Sequence, residues 1–130
     1  MVLVALAFPA FANDDVVILY DNDAHCTADG YAFMASLKEA ALETTPYVKV
    51  VSSGDFLQGG TLGASSKGQY IVEIMNRVGY DFVTLGNHEF DYSMPVLKSN
   101  AEALTARVVD CNLIDLRSGE RLFKPYEIVH

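Results

Sequence analysis

The sequence predicts an α/β domain with a mainly parallel sheet built from βαβ units. Three observations carry this. Short apolar, β-branched runs recur along the chain, stretches of helical period separate them, and each of the first three runs ends in a polar motif. Those motifs are Asp23-Ala24-His25 after Val16–Tyr20, Gly54-Asp55 after Val48–Val51, and Gly86-Asn87-His88-Glu89-Phe90-Asp91 after Phe82–Leu85.

The elements follow in order. A first strand is expected over about 16–22, then a helix over about 30–43 with Tyr31, Met34, Leu37 and Ala41 near helical spacing. Thr44-Thr45-Pro46 stops that helix. A second strand covers about 47–53, and Gly54 to Gly63 reads as a glycine-rich loop. The next helix spans about 67–78, where Ile71, Ile74, Met75 and Val78 share a face and Gly79 suits the C-terminal cap. A third strand at about 81–85, a loop and a helix at about 93–105 lead to a fourth strand from Arg107. Arg117-Ser118-Gly119-Glu120 signals a turn, and Tyr126–Val129 reads as a further strand.

Length and composition bound the rest. A chain of 130 residues holds at most one domain. Its 51% apolar and 20% charged residues exclude disorder. The formal charge of −8, from 9 basic and 17 acidic residues, does not suit a nucleic-acid polymer or an anionic lipid surface. Met1 to Phe8 is apolar, Ala10-x-Ala12 has the pattern of a signal-peptidase site, and polar Asn13-Asp14-Asp15 follows. Residues 1–12 therefore read as a residual signal peptide, too short to span a membrane, and residues 13–130 as the exported part. Export implies a periplasmic, cell-wall-associated or extracellular location. Cys26 and Cys111 do not form a disulfide framework, and two separate buried thiols are expected, Cys26 being adjacent to His25.

The carboxyl ends of strands in an open α/β sheet are where ligands bind. Three successive strand ends here deliver two aspartates, two histidines and an asparagine to one edge. Hard oxygen donors mixed with imidazole suit hydrolytic divalent metals. Hydrolysis of an anionic phosphate ester is served by two metal ions roughly 3.5–4 Å apart that hold the attacking hydroxide and stabilise the leaving oxygen. Asp23 and His25, two residues apart, would point to one side of an extended segment and chelate one ion. Asp55 suits a bridging position, and Asn87 offers a neutral oxygen to the second ion. His88, next in sequence, would point elsewhere and suits a general acid, with Asp91 holding its other nitrogen. Taken singly, D-x-H reads equally as a surface loop and Gly-Asp as a helix cap. The three motifs in this order favour the metal reading.

Three segments carry a family resemblance: Ile18–His25, Ser53–Gly60 and Thr84–Asp91. Over residues 16–113 the chain resembles the calcineurin-like metallophosphoesterases, and within them the secreted 5′-nucleotidase/2′,3′-cyclic phosphodiesterase group. The resemblance implies Asp23, His25, Asp55 and Asn87 as metal ligands, with Asp55 bridging, and His88 with Asp91 as the catalytic pair. It implies two divalent ions, Zn²⁺, Mn²⁺ or similar, and a four-layer αββα sandwich of which this chain is the N-terminal part. The function implied is hydrolysis of phosphate esters, with 5′-nucleotides as the leading substrate. Cyclic nucleotides or nucleotide sugars are the alternative substrates, and an inactive binding protein keeping the fold is the other class. Asp21 and Cys26 depart from the common Thr and Gly of the family, which implies altered tuning.

The family's later histidine ligands, in Gly-His and Gly-His-x-His motifs, and its C-terminal nucleoside-binding domain have no counterpart here, and His130 is assigned no role. The expectation is a front part of a longer protein that, as an isolated 130-residue piece, binds metal weakly, turns over poorly and leaves one sheet face uncovered. A dinucleotide-binding domain is excluded because Asn22–Cys26 is not a G-x-G-x-x-G loop, and a P-loop because 54–63 lacks Gly-Lys-Ser/Thr.

Overall fold

The computed structural model of the chain describes residues 15–129, so the expected signal peptide at 1–12 and His130 lie outside it. Strand β1 (Val17–Asp21) is followed by helix α1 (Ala28–Leu42) and strand β2 (Val48–Ser52). Helices α2 (Gly60–Ser66) and α3 (Gln69–Val78) lead to strand β3 (Phe82–Val83). A 3₁₀ turn (Asn87–Phe90), helix α4 (Met94–Ala103) and strand β4 (Arg107–Val108) complete the order.

The strands form one parallel four-stranded sheet in the order β1-β2-β3-β4. Val17 pairs with Val48, Ser52 with Val83, and Val83 with Val108. Because each strand adds beside the last, crossovers of one hand place their helices on one face of the sheet. The burial follows from this. In β2, Val48, Val50 and Ser52 are buried, while Lys49 and Val51 between them are only partly so. The core beneath the helices includes Val50, Phe56, Leu57, Ile71, Met75 and Leu97. On the other face Ile18 is 61% and Tyr20 72% exposed, so the open apolar face expected from the sequence is present. An α layer on a β layer is what the described residues supply.

Three expectations need correction. The glycine-rich stretch is not all loop: α2 begins at Gly60, and a break at Lys67 and Gly68, both left-handed with φ of 51° and 86°, separates it from α3. Gly63 permits this helix to sit against the Cys26 sulfur and the Leu57 carbonyl, where a Cβ would collide. The strand expected at Tyr126–Val129 does not form; Val109 and Lys124 make a lone parallel bridge instead. Leu37 of α1 is exposed, so the helix buries only Tyr31 and Met34. Elsewhere the sequence signals hold, with Gly79 capping α3 at φ 78° and Pro95 in the first turn of α4. No helix among the described residues is long and apolar enough to cross a membrane.

Candidate metal centre

The three polar motifs meet at the carboxyl edge of the sheet. Backbone hydrogen bonds zip the first two loops together, from Asp23 N to Gly54 O at 3.1 Å and from His25 N to Asp55 O at 2.9 Å. The segment carrying Asp23 and His25 is not extended, as expected, but turned: Asp23, His25 and Cys26 have φ of 55°, 42° and 61°. Asp55 is left-handed too, at 58°. Non-glycine residues rarely hold this conformation, and clusters of it mark functional sites. The turn still brings the pair together, with His25 Nε2 3.7 Å from Asp23 Oδ1. Glycine is required where the second and third loops touch, because a Cβ on Gly86 would fall on the Asp55 carboxylate.

His25, Asp55 and His88 each place a ligand atom within 4.8 Å of the others. The His25 and His88 rings lie edge to face with centroids 5.0 Å apart. His88 therefore does not point away from the other candidates, as alternation along a strand would require. It sits in a 3₁₀ turn, where that alternation does not apply. Its backbone N–H donates to Asp55 Oδ1 at 2.8 Å. Asn87, the first residue of the turn, is exposed, and its side chain forms no hydrogen bond among the described residues.

The histidine tautomers can be read from their partners. His25 Nδ1 faces the Gln58 carbonyl at 3.1 Å. A carbonyl only accepts, so Nδ1 carries the proton and Nε2 keeps a lone pair, the form a metal ligand needs. His88 Nδ1 lies 2.7 Å from Asp91 Oδ2, the contact expected from their spacing. That hydrogen bond holds the His88 pKa above its ordinary value. Losing it favours the neutral ring, so Asp91→Asn is expected to lower the His88 pKa, as read by NMR titration of the metal-free protein.

The donor set fits divalent metal. Asp23, Asp55 and Asp91 converge on two imidazoles, and no lysine or arginine among the described residues forms an ion pair with any of them. Carboxylates crowded without a protein cation favour a bound one.

Glu89 was not singled out by sequence reasoning, although it stands inside the third motif. It is 1% exposed, and its carboxylate accepts four backbone N–H groups, from Asp55, Phe56, Leu57 and Gly86. The available signal was an acidic residue one turn after a buried strand.

The two sequence departures lie beside the centre. Cys26 is buried and donates to the Phe56 and Leu57 carbonyls, both at 3.3 Å. Burial, reinforced by the Glu89 charge, pushes its thiol up to about 11, which keeps it a protonated donor in the metal-free protein. Asp21 accepts the Tyr80 hydroxyl under the helix layer, and burial followed by this contact raises the Tyr80 pKa. Cys111 is exposed, not buried as expected.

Comparison with known proteins bears on this edge. The family model described as calcineurin-like phosphoesterase matches residues 17–129. The chain is 36% identical over 118 residues to the 2′,3′-cyclic-nucleotide 2′-phosphodiesterase/3′-nucleotidase of Yersinia enterocolitica, covering 85% of this chain and 18% of that protein. It is 30% identical to the 5′-nucleotidase of Bos taurus, covering 99% of this chain and 26% of that protein. Among solved structures, the calcineurin-like phosphoesterase YfkN of Bacillus subtilis superposes with a TM-score of 0.75 at 28% identity, over 88% of this chain and 41% of that one. The chain thus spans about a fifth to a quarter of the length of the two relatives.

Proposed function

As the chain belongs to the calcineurin-like phosphoesterase family, we propose that it carries one wall of a divalent-metal centre that hydrolyses phosphate esters, with 5′-nucleotides the leading substrate. The observation that carries this is the convergence of His25, Asp55 and His88 within 4.8 Å, on three strand ends, with no lysine or arginine among the described residues paired to the carboxylates there. Asp23, His25, Asp55 and Asn87 would hold two divalent ions, Zn²⁺, Mn²⁺ or similar, with Asp55 the ligand they would share. Bound divalent ions supply charge neutralisation at the phosphate and activation of water.

The remaining work falls to this chain's own groups. The Gln58 carbonyl keeps His25 in the tautomer that presents Nε2. Asp91 accepts from His88 Nδ1 and raises its pKa, favouring the doubly protonated ring, whose Nε2–H would stabilise and protonate the leaving oxygen of the ester. The partly exposed rim at His88 and Asp91 leaves room for the substrate.

A second substrate class, 2′,3′-cyclic nucleotides, is supported by the Yersinia relative at 36% identity. Export remains part of the proposal and rests on the composition of Met1–Ala12.

The test is metal-dependent hydrolysis by the full-length protein. Phosphate release from a 5′-nucleotide is expected to stop on chelation and to return on adding Mn²⁺ or Zn²⁺. Release that survives complete chelation overturns the metal reading, and cleavage of 2′,3′-cyclic nucleotides alone moves the substrate to the second class.

A further inference from the structure

A carboxylate buried as deeply as Glu89 ordinarily sits beside a cation or loses its charge. No lysine, arginine or histidine among the described residues pairs with it. Its four donors are all peptide N–H groups. Oε1 accepts from Phe56 at 2.8 Å and Leu57 at 3.0 Å. Oε2 accepts from Asp55 at 2.7 Å and Gly86 at 2.6 Å. Each oxygen takes two donors, and successive amides converge on it as they do in a backbone anion nest.

What these amides belong to gives the arrangement its meaning. Three lie in the loop after β2, on and just after Asp55, and the fourth lies in the loop after β3, just before Asn87 and His88. Asp55 is held at φ 58°, which an aspartate leaves readily unless the surroundings fix it. From that conformation its Oδ1 meets His88 N and its carbonyl meets His25 N. One buried carboxylate therefore ties the second motif to the third, and through Asp55 to the first.

We propose that Glu89 is a positioning residue for the metal centre: its carboxylate clamps the Asp55 loop to the Gly86–His88 loop in the geometry that receives the ions. This rests on the metal reading above. Glu89 touches neither substrate nor metal; it acts on the ligands through their own backbone.

The chemistry separates this role from simple packing. Glutamine has the same shape but replaces one oxygen with an NH₂ group. In either amide orientation two of the four peptide N–H groups then face a donor. Groups that orient ligands typically contribute about 10–100-fold to metal affinity.

The experiment is Mn²⁺ titration of the metal-free full-length protein by calorimetry, well below its melting temperature, with circular dichroism as the check on folding. Folded Glu89→Gln is expected to bind Mn²⁺ about 10–100-fold more weakly than wild type. A core truncation away from the site, Ile71→Val or Leu97→Ala, matched to it in melting temperature, is expected to bind as wild type does. Wild-type Mn²⁺ affinity in folded Glu89→Gln overturns the proposal, as does an equal loss in the matched core variant. If Glu89→Gln does not fold, Glu89→Asp decides: it keeps the charge but withdraws it by one methylene. Weakened binding supports the clamp, and unchanged binding overturns it. Failure of the wild type to bind Mn²⁺ overturns the metal reading itself, a result distinct from the others.

Discussion

Replacing Asp55 with asparagine or alanine is expected to remove bound metal and phosphoesterase activity together. Asp55 lies at the junction of all three loops: its Oδ1 accepts the His88 N–H, its carbonyl accepts the His25 N–H, and its carboxylate shares the 4.8 Å cluster with both imidazoles. In the proposed site Asp55 would be shared by two ions, and no neighbouring group could substitute for it. The loss in metal affinity is expected to exceed the roughly 100-fold typical of residues that only orient ligands. Asparagine is the sharper variant, because it tolerates the left-handed backbone and keeps an acceptor for His88 N while removing the charge. It also removes one of two neighbouring negative charges, Asp55 and Glu89, so the metal-free Asp55→Asn protein should melt no lower than the metal-free wild type. Elemental analysis, thermal melting and turnover check the three parts. Full metal content in Asp55→Asn would remove Asp55 from the ligand set.

His88→Ala is expected to separate the two functions that Asp55→Asn loses together. Its Nδ1 is committed to Asp91 at 2.7 Å, and the side chain stands half-exposed at the rim of the cluster. That suits a group that meets the leaving oxygen and then exchanges its proton with water. Removing a positioned general acid typically costs about 10²–10⁴-fold in turnover. Turnover should fall by that order while metal content stays at the wild-type level. The proximity of His88 to His25 and Asp55 makes this a demanding test, since a direct ligand would occupy the same place. An emptied site in His88→Ala would assign His88 to the metal and leave the acid role to another group.

Much of the frame was legible in the chain itself. Val17–Asp21 and Val48–Ser52 are strands because β-branched and aromatic residues suit a pleated surface packed on one face. Ile71, Met75 and Val78 mark α3 because a helix at an interface repeats its apolar face every three to four residues. Helix α2 was hidden because Gly59, Gly60 and Gly63 lower local helix propensity; close packing against Cys26 and Leu57 explains Gly63, and close approach to the His25 carbonyl explains Gly59. The strand expected at Tyr126–Val129 shows the opposite error, since an apolar alternating run forms a strand only when a neighbour offers a free edge.

The candidate site divides along the same line. The sequence alone determined the fold class, the residue types and their delivery to successive strand ends, because these depend on local periodicity and on chain order. Tertiary structure alone decided that His25, Asp55 and His88 converge, that His88 turns inward, that Cys26 is a protonated donor, and that Glu89 joins two loops. Glu89 and the loop that donates to it at 55–57 are separated by more than thirty residues, as are His25 and Gln58. Contacts at that range arise from how the loops stack at the sheet edge, and neither partner's local sequence carries a trace of the other.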